Sequence, residues 1–228
     1  VNREEMMEEY RREYIAYMKL PGAEKGGIRY PCLGQKTAVT HVDGFCFRQD
    51  TWAFKRIVEI HPKSVVDVGS TALLVGIISR LFPTTSFDIR PLPVSLPNLT
   101  CRRASITNLP VADGSVELLC SLCVIEHVGL GRYGDKLDPY GSIKAFKEVS
   151  RVVEPGGHFI ISVPISHTSM LCFNAHRIFT KSQVLAALPE FSVVEEAFFY
   201  PNPGTEQVLT RLKGSLFCLW CADLIKGN

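Results

Sequence analysis

Apolar runs and polar breaks alternate along this chain in a regular order. Residues 64–68 form a short β-branched run closing on Asp67-Val68-Gly69-Ser70, which predicts a buried strand. Residues 72–82 are apolar nearly all round and predict a buried crossover helix. Residues 84–88 read as a second strand, 99–103 as a short third and 116–122 as a fourth. Asp138-Pro139 opens the next helix with Pro in its first turn, and Ile143, Phe146, Val149 and Val152-Val153 form its inner stripe. Pro155-Gly156-Gly157 stops that helix, and 158–163 return as a fifth strand. The tail predicts a helix near 181–188 and strands near 191–199 and 208–224, with a loop between the two strands.

Ahead of this run, residues 2–20 have the pattern of an amphipathic helix. Asn2 and Glu5 make a capping box, and Met6, Tyr10, Tyr14 and Tyr17 recur at helical spacing. Packing on the main domain is the favoured role, with a lid over a cleft or a homodimer contact as alternatives. Pro21-Gly22 and Gly26-Gly27 break the chain, dividing 1–27 (helix and linker) from a domain spanning 28–228. Residues 28–50 read as irregular, followed by a helix over about 51–60. Strands alternating with helices imply parallel pairing under helices on both faces. The expected fold class is α/β: a Rossmann-like, doubly wound, mainly parallel seven-stranded sheet with an antiparallel edge hairpin.

Composition narrows the functions. The chain has 228 residues, 46% hydrophobic and 21% charged, enough for one α/β domain with its own core. A formal net charge of +2 argues against a nucleic-acid groove. No apolar run reaches the roughly 18 residues a bilayer span needs. The eight cysteines include two CxxC pairs, Cys120/Cys123 and Cys218/Cys221. Both pairs fall in strand-like runs, where residues three apart point to opposite faces, so a shared metal ion is not expected. Buried free thiols fit a reducing compartment, and cytoplasmic placement follows as an expectation. The chain opens on Val1, so an upstream leader or anchor is left open.

In open α/β sheets, ligands lie beyond the carboxyl ends of the strands. The turn after the first strand, from Asp67 through Gly69 and Ser70, is where a cofactor's backbone would approach. Asp88 ends the second strand about 19 residues on, the distance at which an acid meets adenosine ribose hydroxyls. Next to it, Ile89 flanks the base, and Ser105 with Ile106 follows the third strand where adenine would sit. His127 caps the fourth strand and is a candidate general base, although a His there also commonly orders a turn. The loop 129–135 offers Arg132, Tyr133 and Asp135 for a substrate, and the segment after the fifth strand adds Asn174, His176 and Arg177. His176 is a second candidate base. His176 and Arg177 point to a polar or phosphorylated ligand. Structural roles stand beside these: an Arg132–Asp135 loop salt bridge, and Asn174 as a turn former.

Taken in order, residues 64–163 resemble the class I S-adenosylmethionine-dependent methyltransferases, especially their small-molecule branch. The resemblance rests on Asp67-Val68-Gly69, Asp88, Leu109-Pro110 with Asp113-Gly114-Ser115, Glu126-His127-Val128, and Arg151-Val152-Val153-Glu154-Pro155-Gly156-Gly157. More narrowly, residues 125–135 (IEHVGLGRYGD) and 173–179 (FNAHRIF) resemble a poorly characterised methyltransferase-like family, a domain of unknown function known in nematodes and bacteria. The turn 88–92 and Gln49-Asp50-x-Trp52 share in that likeness. It implies S-adenosylmethionine as cofactor and methyl transfer to oxygen on a small polar acceptor, a sugar or glycan precursor. The chain departs from the pattern at Thr71 and Leu73, which stand where two further glycines are usual and would crowd the methionine end. The alternative is therefore a non-catalytic binding or scaffold module that has lost the methyl donor.

Overall fold

The computed structural model describes residues 2–24, 27–200 and 217–227. The chain divides into two compact units, Val1–Val42 and Asp43–Asn228. In the first, helix α1 (Arg3–Tyr17) starts at Asn2. The Asn2 side chain accepts from the Glu5 N–H while the Glu5 carboxylate accepts from the Asn2 N–H. Lys36 pairs with Glu9 and Glu13 on the same unit.

The second unit carries the sheet. Helix α2 (Gly44–Ile60) begins well before residue 51, because the Asp43 carboxylate caps it by accepting from the N–H groups of Phe45 and Cys46. Then follow β1 (Val65–Val68), α3 (Ala72–Ile78), β2 (Thr84–Asp88), β3 (Leu99–Arg103) and β4 (Val116–Leu122). After them come α4 (Gly141–Val152), β5 (Val153–Ile165), β6 (Met170–Cys172), β7 (His176–Ile178), α5 (Lys181–Ala187), β8 (Phe191–Phe199) and β9 (Cys218–Lys226). Seven strands make one sheet in the order β3-β2-β1-β4-β5-β9-β8. The first five pair in parallel, and β9 enters antiparallel between β5 and β8. The mostly parallel sheet with an antiparallel edge is thus as the pattern implies. The expected strand near 208–224 is described only from Cys218; residues 201–216 lie outside the described residues.

Helices cover both faces. Ala53, Ile57, Leu74 and Ile78 of α2 and α3 pack on one side with Val65, Leu118 and Ile160. Ala145, Phe146, Val149 and Val184 of α4 and α5 pack on the other with Val68, Leu119 and Phe159. Helix α3 is shorter than its apolar run and buries one face only: Leu73 is 74% exposed and Ile77 and Leu81 are also exposed. β6 and β7 form a separate antiparallel ribbon that strand-length patterning does not predict, since each is three residues long. Among the described residues no helix is long and apolar enough to cross a membrane.

Two of the sequence motifs prove to be one fastening. The Arg151 guanidinium donates to the carbonyls of Leu109 and Val111 and to the Asp113 carboxylate, while Glu148 accepts from the Leu109 N–H. The Leu-Pro loop and the end of α4 are therefore bonded to each other, setting the height of the loop that follows β3.

At the other end of the sheet, the buried Asp223 carboxylate on β9 receives Arg56 at 2.7 Å and His158 Nδ1 at 2.7 Å. A buried carboxylate left with fewer cationic donors is strongly destabilising. Arg56→Ala is expected to lower unfolding free energy by about 3 kcal/mol in urea titrations, whereas Lys55→Ala, at an exposed pair, is expected to change it little.

Candidate active site

The parallel strands deliver their carboxyl ends to one cleft. Gly69 follows β1, Asp88 ends β2 with Ile89 and Arg90 beyond it, Ala104 to Ile106 follow β3, and Cys123, Val124 and His127 follow β4. Tyr133 and Asp135 close the rim, and the cavity between these groups measures about 150 Å³.

Gly69 is held by its N–H donating to the Phe87 carbonyl at 3.0 Å, with φ +70. That backbone conformation is costly for any side chain. A Cβ there would meet Val124 Cγ2 at 3.0 Å and come within 3.7 Å of Asp88 Oδ2. The glycine thus keeps open the space between β1 and the Asp88 carboxylate. Asp88 Oδ1 accepts from the Arg90 N–H at 2.6 Å, which leaves Oδ2 on the cleft side of the turn. Ser105 orders its own turn by bonding Thr107 through both hydroxyl and backbone. Ile106 lines the cleft while belonging to the core.

Asp67 and Ser70 do not line the cleft. The Asp67 carboxyl is fully buried; Oδ2 accepts from Ser86 and Oδ1 has no partner. Burial pushes its pKa up to about 7. Ser70 accepts from the Leu122 N–H and so ties β1 to β4. Nor do Thr71 and Leu73 line it. The Thr71 hydroxyl donates to Asp50 Oδ2 and accepts from the Leu74 N–H as the cap of α3, and Leu73 points to solvent.

Beyond β4, His127 Nδ1 lies 2.6 Å from the Ala175 carbonyl. A carbonyl only accepts, so Nδ1 carries the hydrogen and Nε2 the lone pair. Burial brings the His127 pKa down to about 4. Nε2 is 3.7 Å from Glu126 Oε1. Glu126 is buried, with Oε2 unpartnered and its pKa pushed up to about 8. Both groups are therefore uncharged at neutral pH, and the contact is not an ion pair.

The other residues expected at the acceptor divide. Tyr133 and Asp135 line the cleft. The Asp135 carboxylate turns inward, accepting from the N–H groups of Gly129 and Tyr133, so it shapes the loop rather than pairing with Arg132. Gly129 is obligatory here: at φ +82, a Cβ would stand 2.1 Å from the Asp138 carbonyl. Arg132 donates to the Ala175 carbonyl at 3.0 Å. Arg177 is not among the lining residues; its guanidinium donates to the carbonyls of Val128, Asp138 and Pro139 and to the Ser142 hydroxyl. Asn174 sits exposed in the turn between β6 and β7, and His176 keeps a buried, unpartnered Nε2 away from the lining. Burial and the Arg132 charge lower the His176 pKa. Arg90, Cys123, Val124 and Val128 were not singled out as site residues, yet they line the cleft. Only their place just past a strand end marks them. Among the described residues no cluster of three His, Cys, Asp or Glu side chains has metal-binding geometry.

Comparison with known proteins agrees with this architecture. The 1,6-didemethyltoxoflavin-N1-methyltransferase of Burkholderia thailandensis, solved with its substrate and S-adenosylhomocysteine, superposes with TM-score 0.58 at 15% identity, over 82% of this chain and 80% of that one. YcgJ of Bacillus subtilis gives TM-score 0.57 at 14% identity, over 80% and 99%. The chain has a methyltransferase-like fold. The [4+2]-cyclase SpnF shares it as well, at TM-score 0.55 and 12% identity over 77% and 81%. By sequence, residues 107–198 match the family described as Caenorhabditis protein of unknown function, DUF268. No curated protein matches the chain by sequence.

The buried acids make stability depend on pH. Glu126 has a folded-state pKa near 8, above the unfolded value near 4.3, so the unfolded chain binds fewer protons between these values and stability falls as pH rises. His127 acts oppositely, but only between pH 4 and 6.5. From pH 6.5 to 8 the wild-type protein is expected to lose about 2 kcal/mol. In Glu126→Gln most of that slope should vanish in denaturant titrations at the two pH values.

Proposed function

We propose that the cleft binds S-adenosylmethionine and that the protein methylates a hydroxyl oxygen of a small polar acceptor, such as a sugar or glycan precursor. The observation carrying this reading is the open space between Gly69 and Asp88 Oδ2, with His127 on the same cleft. Asp88 would accept from the two ribose hydroxyls, as a carboxylate with one oxygen unengaged can. Ile89, Ser105 and Ile106 would border the adenine. Bound S-adenosylmethionine would supply an electrophilic methyl group with a thioether as leaving group.

The chain's part in such a displacement is alignment and removal of one proton. His127 presents an unprotonated Nε2 at neutral pH, held in that tautomer by the Ala175 carbonyl. It would take the hydroxyl proton as the oxygen loses it. Tyr133 and Arg132 would position the acceptor on the rim. The fold alone does not specify methyl transfer, since a cyclase shares it, so the donor must be tested directly.

Calorimetry is expected to show micromolar binding of S-adenosylmethionine and S-adenosylhomocysteine, weakened at least tenfold in Asp88→Ala, and no binding of NAD. Silence from all three would leave a non-catalytic module with this architecture. Separately, the His127 imidazole followed by nitrogen NMR should remain the Nδ1–H tautomer through pH 5 and titrate near 4. A midpoint at 6.5 would remove the basis for its role.

A further inference from the structure

We propose that the acceptor carries an anionic oxygen group, a carboxylate or a phosphate, gripped by Arg90 and Arg132 beside the Tyr133 ring. This rests on the reading of the cleft as a donor and acceptor site, and it adds the acceptor's charge.

Several cations of the domain are already matched. Arg56 meets Asp223 and Glu195, and Arg151 meets Glu148 and Asp113. Arg177 lies against three carbonyls and a hydroxyl, which hold it in place as a clamp on the loop. Arg90 and Arg132 differ. Among the described residues neither has a carboxylate within ion-pairing distance, and the Arg90 guanidinium has no oxygen acceptor.

Two carboxylates of the cleft already accept from backbone N–H groups, with Asp88 Oδ2 left over for the donor. Asp135 accepts from two backbone N–H groups of its own loop, and Asp88 Oδ1 accepts from the Arg90 backbone. Both guanidinium groups instead lie against one ring, at 4.4 Å and 5.1 Å from the Tyr133 centroid. They reach it from different parts of the chain, Arg90 from the end of β2 and Arg132 from the loop after β4. The third neighbour of the ring is the uncharged His127, edge-on at 5.4 Å.

Two like charges gathered on one ring at a cleft rim repel, and the repulsion grows when a ligand displaces water. An anion between them relieves it, and the N–H forks of arginine suit two-oxygen anions. Tyr133 is the ring that both guanidinium groups share, and His127 meets its edge. An acceptor held this way has its anionic group near the hydroxyl that loses its proton, as in a hydroxy acid or a sugar phosphate.

The test uses the full chain saturated with S-adenosylhomocysteine, titrated with inorganic phosphate and, separately, with acetate. At least one anion should bind in the millimolar range, and which one tells phosphate from carboxylate. Arg90→Gln/Arg132→Gln should weaken it tenfold or more, while the exposed Arg80→Gln should not. Equal affinity in the double variant, or no binding of either anion, overturns the proposal. So does anion binding seen only in a parallel titration without S-adenosylhomocysteine, which would assign the cations to the donor. Failure of S-adenosylhomocysteine to bind the wild-type protein defeats the donor reading itself, a result read before any anion is added.

Discussion

Everything at the cleft depends on how β1 is paired. It lies between β2 on one side and β4 on the other, parallel to both. The helix leaving β1 packs on one face of the sheet, and the helix that precedes β5 packs on the opposite face. No connection crosses the carboxyl ends of β1 and β4, so a crevice opens there by topology. Side-chain choice then decides whether the crevice stays open. Gly69 is the position where any Cβ would reach Val124, and it is the residue that lets β1 end without closing the space in front of Asp88.

A second constraint shapes the acceptor side. The loop from Val128 to Asp138 anchors itself by burying Leu130, and the rest of its form comes from backbone hydrogen bonds. Asp135 gathers the Gly129 and Tyr133 N–H groups, the Asp138 N–H reaches the Gly129 carbonyl, and Arg177 collects carbonyls at both ends. The ribbon β6–β7 meets this loop through the Arg177 side chain and through the Ala175 carbonyl, which His127 and Arg132 share. The two long motifs at 125–135 and 173–179 are thus a single structure. Most of their polar side chains build the loop, and Tyr133, Arg132 and His127 are what it presents.

This explains which parts were legible in the sequence. Strand ends such as Asp88 and Gly69 stand out because a short strand-like run stops there and the topology gives the stopping point a meaning. The roles of Asp135 and Arg177 are hidden for the opposite reason. Their partners are backbone groups, which every residue carries and no motif records. Thr71 shows the same limit: read as a replaced glycine it should obstruct, yet its hydroxyl turns to the helix cap and Asp50. Helix α2 likewise starts at a polar cap, Asp43, inside a stretch whose mixed residues conceal the period. Arg90 gains its interest only in three dimensions, where it meets a ring more than forty residues away in sequence.

Burial sets the protonation states at the cleft against ordinary expectation. An exposed His beside an exposed Glu would form an ion pair near neutral pH, and the pair would lock both groups. Here desolvation disfavours charge on each, so Glu126 keeps its proton and His127 goes without one. The nearby Arg132 charge opposes protonation of His127 and His176 further. The corner holds two guanidinium groups without a carboxylate partner among the described residues, while Asp135 beside them accepts from backbone N–H groups. An imidazole in such a field is a weak base toward solvent. It becomes a better one once an anion occupies the cations beside it, because the imidazolium that forms is then stabilised. On the proposed reading, acceptor binding and base strength would be coupled through Arg132, whose charge opposes protonation of His127.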